Sequence, residues 1–255
     1  MNIIRALQVA FGFLTTLPVP IIKDWREDDL RLAVKVYPVV GLVIGIILAS
    51  AMWISEGLEP LLIATLVTVL WIAITGGLHF DGFCDMADAA LSPKTPEERW
   101  RIAKDPTVGS FALMAGALLI LTKVAALTGI VSSFNKSEIY PYAVMVIIPV
   151  LARSAVTWAM ARYTVHDSSL LGRQSNLRWD EIFLPVSLGV VFTLLIATFS
   201  LSSRQVVILF VSLGLTTFVV AAFLNQKMQG LGGDAYGTIV EMNEAMLLVA
   251  ANFLL

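Results

Sequence analysis

Apolar runs of about twenty residues recur along most of this 255-residue chain. An α-helix needs roughly 20 apolar residues to cross the hydrocarbon core of a bilayer, so runs of this length predict transmembrane helices. They lie at 33–54, 61–78, 111–132, 139–162, 182–201, 205–224 and near 236–255. We therefore expect an all-α, polytopic integral membrane protein with about seven transmembrane helices, six or eight being the alternatives. No internal repeat is visible, and one domain over 1–255 is expected.

Composition supports the membrane assignment. Hydrophobic residues make up 58% of the chain and charged residues 14%, whereas soluble domains carry about 25% charged residues. The missing polar surface has to face something apolar, which excludes an ordinary water-soluble globule and makes a lipid bilayer the expected surroundings. With a net charge of −2 and no basic stripe, nucleic acid is not an expected partner. The single cysteine, Cys84, excludes an internal disulfide and a multi-cysteine metal site.

The first 22 residues are apolar but are interrupted by Gly12, Pro18 and Pro20. A short run with two prolines predicts an N-terminal interfacial or re-entrant helix rather than a full span. It ends without a small-residue cleavage signal, so no cleavable signal peptide is expected. The charged segment 23–31 is expected to be an aqueous loop that opens the next helix.

Lysine and arginine set the expected orientation. One set of alternate loops carries 13 of these residues, and the other set carries only Lys136 and Arg204. The amino terminus and both polar motifs described below should therefore lie on the cytoplasmic side of the membrane. Arg173 and Arg178, in a polar loop on that side, could contact a phosphorylated substrate or simply anchor the topology.

Three aspartates follow the second apolar run at spacings of four and three: Asp81, Asp85 and Asp88. At about 100° per residue they share one face of a helix, where their charges repel unless a cation or protons lie between them. Hard divalent cations such as Mg²⁺ prefer this kind of ligand set. The alternative is helix capping at a membrane exit. His79, two residues earlier, is either a general base or a hydrogen-bonding partner that orients an aspartate.

Asp105 precedes Pro106 in a second conspicuous segment. Because the proline favours an extended residue before it, Asp105 could simply end one helix. The alternative is a fourth acid that faces the first three, with Arg99 and Lys104 nearby as donors to phosphate oxygens.

A glycine-rich stretch at 229–244 comes before the last apolar segment. Around Gly233 it could form a backbone nest for phosphate at a helix N-terminus, although a flexible turn is the usual explanation. Asp234 adds a carboxylate, and Glu241 and Glu244 enter an apolar helix where unpaired charge is costly. Arg153, inside the fourth run, is either an anion-binding group or a salt-bridge partner.

Four segments together resemble the cobalamin synthase family, also named adenosylcobinamide-GDP ribazoletransferase. They are FLTTLPVP (13–20), GGLHFDGFCDMADA (76–89), KDPTVGSF (104–111) and GGDAYG (232–237), and the resemblance runs from the amino terminus to the last helix. The motif also resembles, more distantly, that of the CDP-alcohol phosphotransferases. This chain lacks their Ala-Arg dipeptide after the second aspartate, so roles cannot be transferred position by position.

The resemblance implies a Mg²⁺-dependent reaction at the cytoplasmic membrane. A ribose hydroxyl of α-ribazole, or of its 5′-phosphate, attacks the cobinamide-linked phosphorus of adenosylcobinamide-GDP, and GMP leaves. Such a displacement needs charge neutralisation on both phosphoryl groups. The metal ligands expected on this basis are Asp81, Asp85, Asp88 and Asp234. The residues expected near the reacting groups are His79 or Asp88 as the base, Asp105 beside them, and Arg99, Lys104, Arg153, Gly233, Glu241 and Glu244 on the substrates.

Three other functions compete with this one. Proline-broken runs, a buried arginine and acids at helix ends also fit a secondary transporter, although the acids here concentrate on one side of the membrane rather than at its centre. A CDP-alcohol-type phosphotransferase is the second alternative, and a structural scaffold the third. A homo-oligomer or a complex with other cobalamin-assembly enzymes is a further expectation.

Overall fold

The computed structural model describes residues 3–20, 22, 24, 29–133, 139–166 and 177–253. In these residues the regular secondary structure is α-helical, and the β-type pairing is one isolated bridge between Val165 and Leu231. The predicted all-α membrane fold is confirmed. The helices are α1 (Ile3–Leu14), α2 (Asp29–Val34), α3 (Tyr37–Ile54), α4 (Pro60–Thr75), α5 (Leu78–Leu91), α6 (Pro96–Ile102), α7 (Ser110–Ser132), α8 (Tyr140–Arg162), α9 (Trp179–Ala197), α10 (Ser203–Met228) and α11 (Gly233–Asn252).

Among the described residues, five helices are long and apolar enough to cross a membrane: α3, α7, α8, α9 and α10. A sixth span exists only if α4 and α5 count as one, and these two helices meet at 91°. The bend falls at Gly76 and Gly77, which have φ values of 62° and 69° in the left-handed region that favours glycine. The predicted run 61–78 therefore ends at this corner, and the count of seven spans is not confirmed.

The last helix, α11, lies inside the bundle. It does not pass the same test of apolarity, although its 20 residues match a membrane span in length. It runs beside α7, since the amide of Asn252 donates to the Ala126 carbonyl oxygen (2.8 Å) and Glu241 contacts Lys123. Most of its residues are buried, so its polar groups face other helices rather than lipid.

The N-terminal helix α1 is apolar and has 12 residues, too few to cross the hydrocarbon core. It packs on α2, and the Arg5 guanidinium donates to both carboxylate oxygens of Asp29 at 2.7 Å. This geometry agrees with the expected short helix that does not span the membrane. Of the predicted charged loop 23–31, residues 23 and 25–28 lie outside the described residues.

Close packing of α3 on α8 depends on two glycines. A Cβ built on Gly45 would lie 2.6 Å from the Val146 Cα, and one built on Gly41 would lie 2.8 Å from the Val150 Cα. Small residues let helix backbones approach closely in membranes, where van der Waals packing drives association. These two positions therefore fix how α8 sits in the bundle.

A matched pair of glycine substitutions tests this contact. Gly45→Ala should destabilise the protein by about 1–3 kcal/mol, because its Cβ meets backbone that cannot yield cheaply. Gly214→Ala, where an added Cβ meets no atom within 4 Å, should stabilise it by about 0.5–1 kcal/mol through helix propensity. Thermal unfolding in detergent measures both. Equal effects of the two substitutions would contradict the packing described here.

Candidate active site

The three predicted aspartates lie on one helix, α5, as expected. Asp81 is exposed, whereas Asp85 and Asp88 are half-buried. Asp85 is within electrostatic range of Asp81 and Asp88, and also of Asp234 in the first turn of α11. The structure thus brings together acids from two segments about 150 residues apart. We call Asp81, Asp85 and Asp234 the acid cluster.

Two glycines allow Asp234 to approach α5. A Cβ on Gly82 would lie 2.8 Å from the Asp234 Cα, and one on Gly237 would lie 3.2 Å from the His79 Cα. The Thr238 hydroxyl, on the same helix as Gly237, lies within hydrogen-bonding distance of the carbonyl oxygens of Asp234 (2.9 Å) and Gly82 (3.3 Å). The motif glycines therefore serve a backbone contact between α5 and α11 that sets the position of Asp234.

Asp88 has a structural task of its own. Its two carboxylate oxygens accept hydrogen bonds from the backbone N–H groups of Gly109 (2.6 Å) and Ala112 (2.9 Å). Gly109 is the N-cap of α7 and has no side chain with which to cap it. A carboxylate at a helix N-terminus satisfies unpaired N–H groups and complements the helix dipole. The capping alternative considered from the sequence therefore describes Asp88, although the helix it caps is α7 rather than its own.

Asp105 is exposed and bound locally. It accepts hydrogen bonds from the Thr107 hydroxyl (2.5 Å) and the Thr107 backbone N–H (2.9 Å), and these bonds hold the pKa of Asp105 below its usual range. This favours the turn interpretation over a fourth acid facing α5. Its neighbour Lys104 is exposed and within electrostatic range of Asp234. Lys104 therefore brings a positive charge from this loop to the acid cluster.

Arg99, predicted to bind substrate, holds the α6 segment against the end of α10. Its guanidinium donates to the carbonyl oxygens of Lys227 (2.8 Å) and Ser92, and the neighbouring Trp100 indole donates to that of Met228 (2.8 Å). These bonds fix the chain immediately before the glycine-rich stretch.

His166 follows α8 and lies next to the start of the glycine-rich stretch. It is half-buried and stacks on Trp100 with ring centroids 4.4 Å apart, and its backbone N–H donates to the Leu231 carbonyl oxygen. Gly233, which follows this pairing, is the first residue of α11. Arg173 lies outside the described residues, whereas Arg178 is exposed and pairs with Asp180.

Four charged side chains meet in the interior of the bundle, and we call them the buried ion network: Lys123, Arg153, Glu241 and Glu244. The Lys123 ammonium donates to Glu241 (2.5 Å) and Glu244 (2.8 Å), and Arg153 donates to the other oxygen of Glu244. All four residues are at most 4% exposed. Their formal charges cancel, so the network leaves no uncompensated charge in the interior.

This network changes the predicted roles of three residues. Glu241, Glu244 and Arg153 were expected to contact substrates, but both glutamates and one end of the arginine are engaged with protein partners. The salt-bridge alternative for Arg153 is therefore realised. Lys123 was not among the expected site residues. Its position inside an apolar run was a usable signal, because a lone lysine at membrane depth requires an acidic partner.

His79 is buried in the first turn of α5. It lies within electrostatic range of Arg153, Glu244 and Lys123, and its Nδ1 atom has no hydrogen-bond partner among the described residues. It therefore lies close to the buried ion network, on the same helix as Asp81 and Asp85.

The arrangement does not contain a complete protein-only metal cage. Within the described parts of the chain, no group of three His, Cys, Asp or Glu side chains is positioned to hold a metal ion. Both carboxylate oxygens of Asp88 accept hydrogen bonds from the start of α7, so Asp81, Asp85 and Asp234 are the aspartates left more available as ligands. The remaining acid cluster offers hard oxygen ligands of the type that Mg²⁺ prefers.

Fold and site together define a polytopic all-α membrane protein with a cluster of acidic side chains at one end of its helix bundle. Comparison with known proteins gives the family. A family model described as cobalamin-5-phosphate synthase matches residues 6–252, and the chain belongs to this family.

Individual relatives agree with that assignment. A protein from Pseudomonas paraeruginosa is 35% identical over 97% of this chain and 97% of its own length. One from Deinococcus radiodurans is 33% identical over 96% of this chain and 84% of its own length, and one from Clostridium perfringens is 29% identical over 94% of each. All three bear the name adenosylcobinamide-GDP ribazoletransferase. No solved structure matches the chain.

Replacing Asp88 tests its capping role. Asp88→Ala should lower the free energy of unfolding by about 1–2 kcal/mol, because two N–H groups at the start of α7 lose their acceptor. Glu97→Ala, which removes an exposed acid from α6, is the matched control and should change stability little. Thermal unfolding in detergent distinguishes the two. An unchanged unfolding temperature for Asp88→Ala would contradict the capping role.

The buried ion network makes a second prediction. Lys123→Met should destabilise the protein by about 3–5 kcal/mol, because it leaves an uncompensated negative charge in the interior. Adding Glu241→Gln restores the charge balance and should recover a substantial part of that loss. The cycle is measured by thermal unfolding of the wild type, both single variants and the double variant. A double variant no more stable than Lys123→Met would show that charge balance is not what holds these helices.

Proposed function

We propose that this protein is a membrane transferase that joins adenosylcobinamide-GDP to α-ribazole, or to its 5′-phosphate, and releases GMP. The observation that carries the proposal is the family match, which covers nearly the whole chain. The matched residues include both helices, α5 and α11, that supply the acid cluster. Relatives of nearly the same length bear the name of this activity. The product is the corresponding cobalamin or cobalamin 5′-phosphate.

The reaction consists of one substitution at phosphorus. A ribose hydroxyl oxygen forms a bond to the phosphorus attached to cobinamide, and the bond from that phosphorus to the bridging oxygen of the diphosphate breaks. The bridging oxygen leaves with GMP and carries the electron pair, while the hydroxyl proton passes to a carboxylate of the acid cluster. Positioning and charge neutralisation supply most of the catalysis in such transfers.

Mg²⁺ is the cofactor we propose, with Asp81, Asp85 and Asp234 as the available protein ligands. Mg²⁺ usually keeps several waters and binds through one or two carboxylates together with substrate phosphates. An acid cluster without a closed three-ligand cage fits this mode. When bound, the cation would neutralise charge on the diphosphate. Lys104, near Asp234, adds a positive charge on the loop that borders the cluster.

We also propose that the acid cluster faces the cytoplasm of a bacterial inner membrane. Its supporting observation is the excess of Lys and Arg on this side of the bundle, which follows the positive-inside rule. The end that carries Asp234 also carries Arg99, Lys104 and Lys227. A nucleotide-activated substrate would reach the site from that side. A homo-oligomer, or a complex with other cobalamin-assembly enzymes, stays a prediction.

The direct test is GMP release by purified protein in detergent, supplied with adenosylcobinamide-GDP, α-ribazole and Mg²⁺. Asp85→Asn or Asp81→Asn should lower the turnover rate by about two orders of magnitude or more, because each removes a charge from the proposed metal ligands. Thermal stability should be nearly unchanged. Glu97→Gln, an exposed acid on α6, is the matched control and should retain activity.

Each part of the proposal has its own result that would contradict it. Near-normal turnover by Asp85→Asn would remove that residue from the site. Full turnover after chelation of divalent cations would remove Mg²⁺ from the mechanism. No GMP release by the wild type under any of these conditions would remove the activity itself.

A further inference from the structure

A cavity of about 80 Å³ borders the acid cluster from the inside of the bundle. Its walls come from α1, α2, α3, α5, α8 and α11 and are largely apolar. Representative apolar residues are Leu14, Val34, Val156, Met160 and Val240, with the aromatic rings of Tyr37 and Tyr236. Asp234 also lines the cavity, so one residue belongs both to this space and to the acid cluster.

Two buried side chains bring polar atoms to this apolar space. Arg153 is 1% exposed, and its Nε and Nη2 atoms have no hydrogen-bond partner among the described residues. His79 is 5% exposed, and the same holds for its Nδ1 atom. Both residues line the cavity. A buried donor without an acceptor is costly, so a ligand that supplies acceptors here gains binding free energy.

The charges around Arg153 indicate what kind of acceptor fits. The buried ion network already balances the arginine with Glu244 and balances Lys123 with Glu241. A phosphate or carboxylate in the cavity would add an unbalanced negative charge in an apolar setting, which is costly. A neutral group with a lone pair would satisfy the guanidinium N–H groups without that cost.

The volume of the cavity also limits the size of the ligand. A buried water takes up about 10–15 Å³ of such a cavity, so this one holds roughly five to eight water-sized groups. This space suits a flat two-ring aromatic system, whose bonded atoms lie closer together than waters. It is too small for a whole nucleoside or for a corrin macrocycle, since pockets for drug-sized ligands measure about 300–1,000 Å³.

We propose that this cavity is the acceptor subsite and binds the benzimidazole ring of ribazole. The ring is neutral, aromatic and bicyclic, and its unsubstituted nitrogen carries a lone pair that accepts a hydrogen bond from Arg153 or His79. With the ring inside, the attached ribose lies at the Asp234 side, next to the acid cluster where its hydroxyl attacks phosphorus. This inference rests on the proposed function and adds to it where and how the acceptor is recognised.

Filling the cavity tests the proposal. Val156→Phe places extra atoms in the space that the ring needs, so KM for α-ribazole should rise by about tenfold or more. KM for adenosylcobinamide-GDP should stay unchanged, because that substrate binds outside the cavity. Val190→Phe is the matched control, since Val190 lines a different apolar cavity between α8, α9 and α10. It should leave both KM values unchanged. An unaltered KM for α-ribazole in Val156→Phe would overturn the proposal.

A measurement on the wild type keeps the test independent of how well the variant folds. An azidobenzimidazole riboside, irradiated with the purified protein, should attach to cavity residues on α8 or α11, such as Met160 or Tyr236. Excess α-ribazole should suppress this labelling. Labelling confined to residues outside the cavity would overturn the subsite.

These outcomes are distinguishable from a failure of the proposed function. A wild type that releases GMP, together with labelling elsewhere, leaves the transferase activity standing and removes only the subsite. A wild type that releases no GMP with saturating substrates removes the activity, and the subsite with it.

Discussion

The interior contact between Lys123 and the glutamates of α11 governs the rest of this structure. One ammonium group bonds to Glu241 and Glu244, and Arg153 bonds to Glu244 from the opposite side, so α7, α8 and α11 are joined at a single point. In an apolar interior the removal of one partner leaves an uncompensated charge, which is why such a contact tolerates little displacement. The contact therefore fixes the position of α11 along the axis of α7.

The position of α11 then determines the geometry of the site. With that helix held by its middle, its first turn meets α5 at Gly82, and Asp234 arrives beside Asp81 and Asp85. Asp88, on the same face of α5 as Asp81 and Asp85, caps α7, the helix that carries Lys123. The acid cluster and the charges of the buried ion network are thus connected through two helices, although they lie in different parts of the bundle.

The features that depend on local pattern could be predicted from the sequence. Apolar runs and the spacing of Asp81, Asp85 and Asp88 predicted membrane helices and a helical acid motif, because length, hydropathy and periodicity are properties of neighbouring residues. Prediction from the sequence failed where contacts are distant. Lys123 and Glu241 are 118 positions apart, so their pairing has no local signature, and the buried glutamates resembled substrate ligands. The corner at Gly76 and Gly77 was not predicted, because the 91° angle between α4 and α5 depends on backbone conformation, which hydropathy does not report.

We propose that the acid cluster holds a magnesium ion against the diphosphate of the corrinoid substrate. The most direct measurement is a cryo-electron microscopy structure of the protein in a lipid nanodisc, with Mg²⁺ and an unreactive diphosphate analogue of adenosylcobinamide-GDP. We predict a cation about 2.1 Å from a carboxylate oxygen of Asp81, Asp85 or Asp234 and from oxygens of both phosphates. A diphosphate bound away from these three side chains, or a cation coordinated elsewhere, would contradict the account.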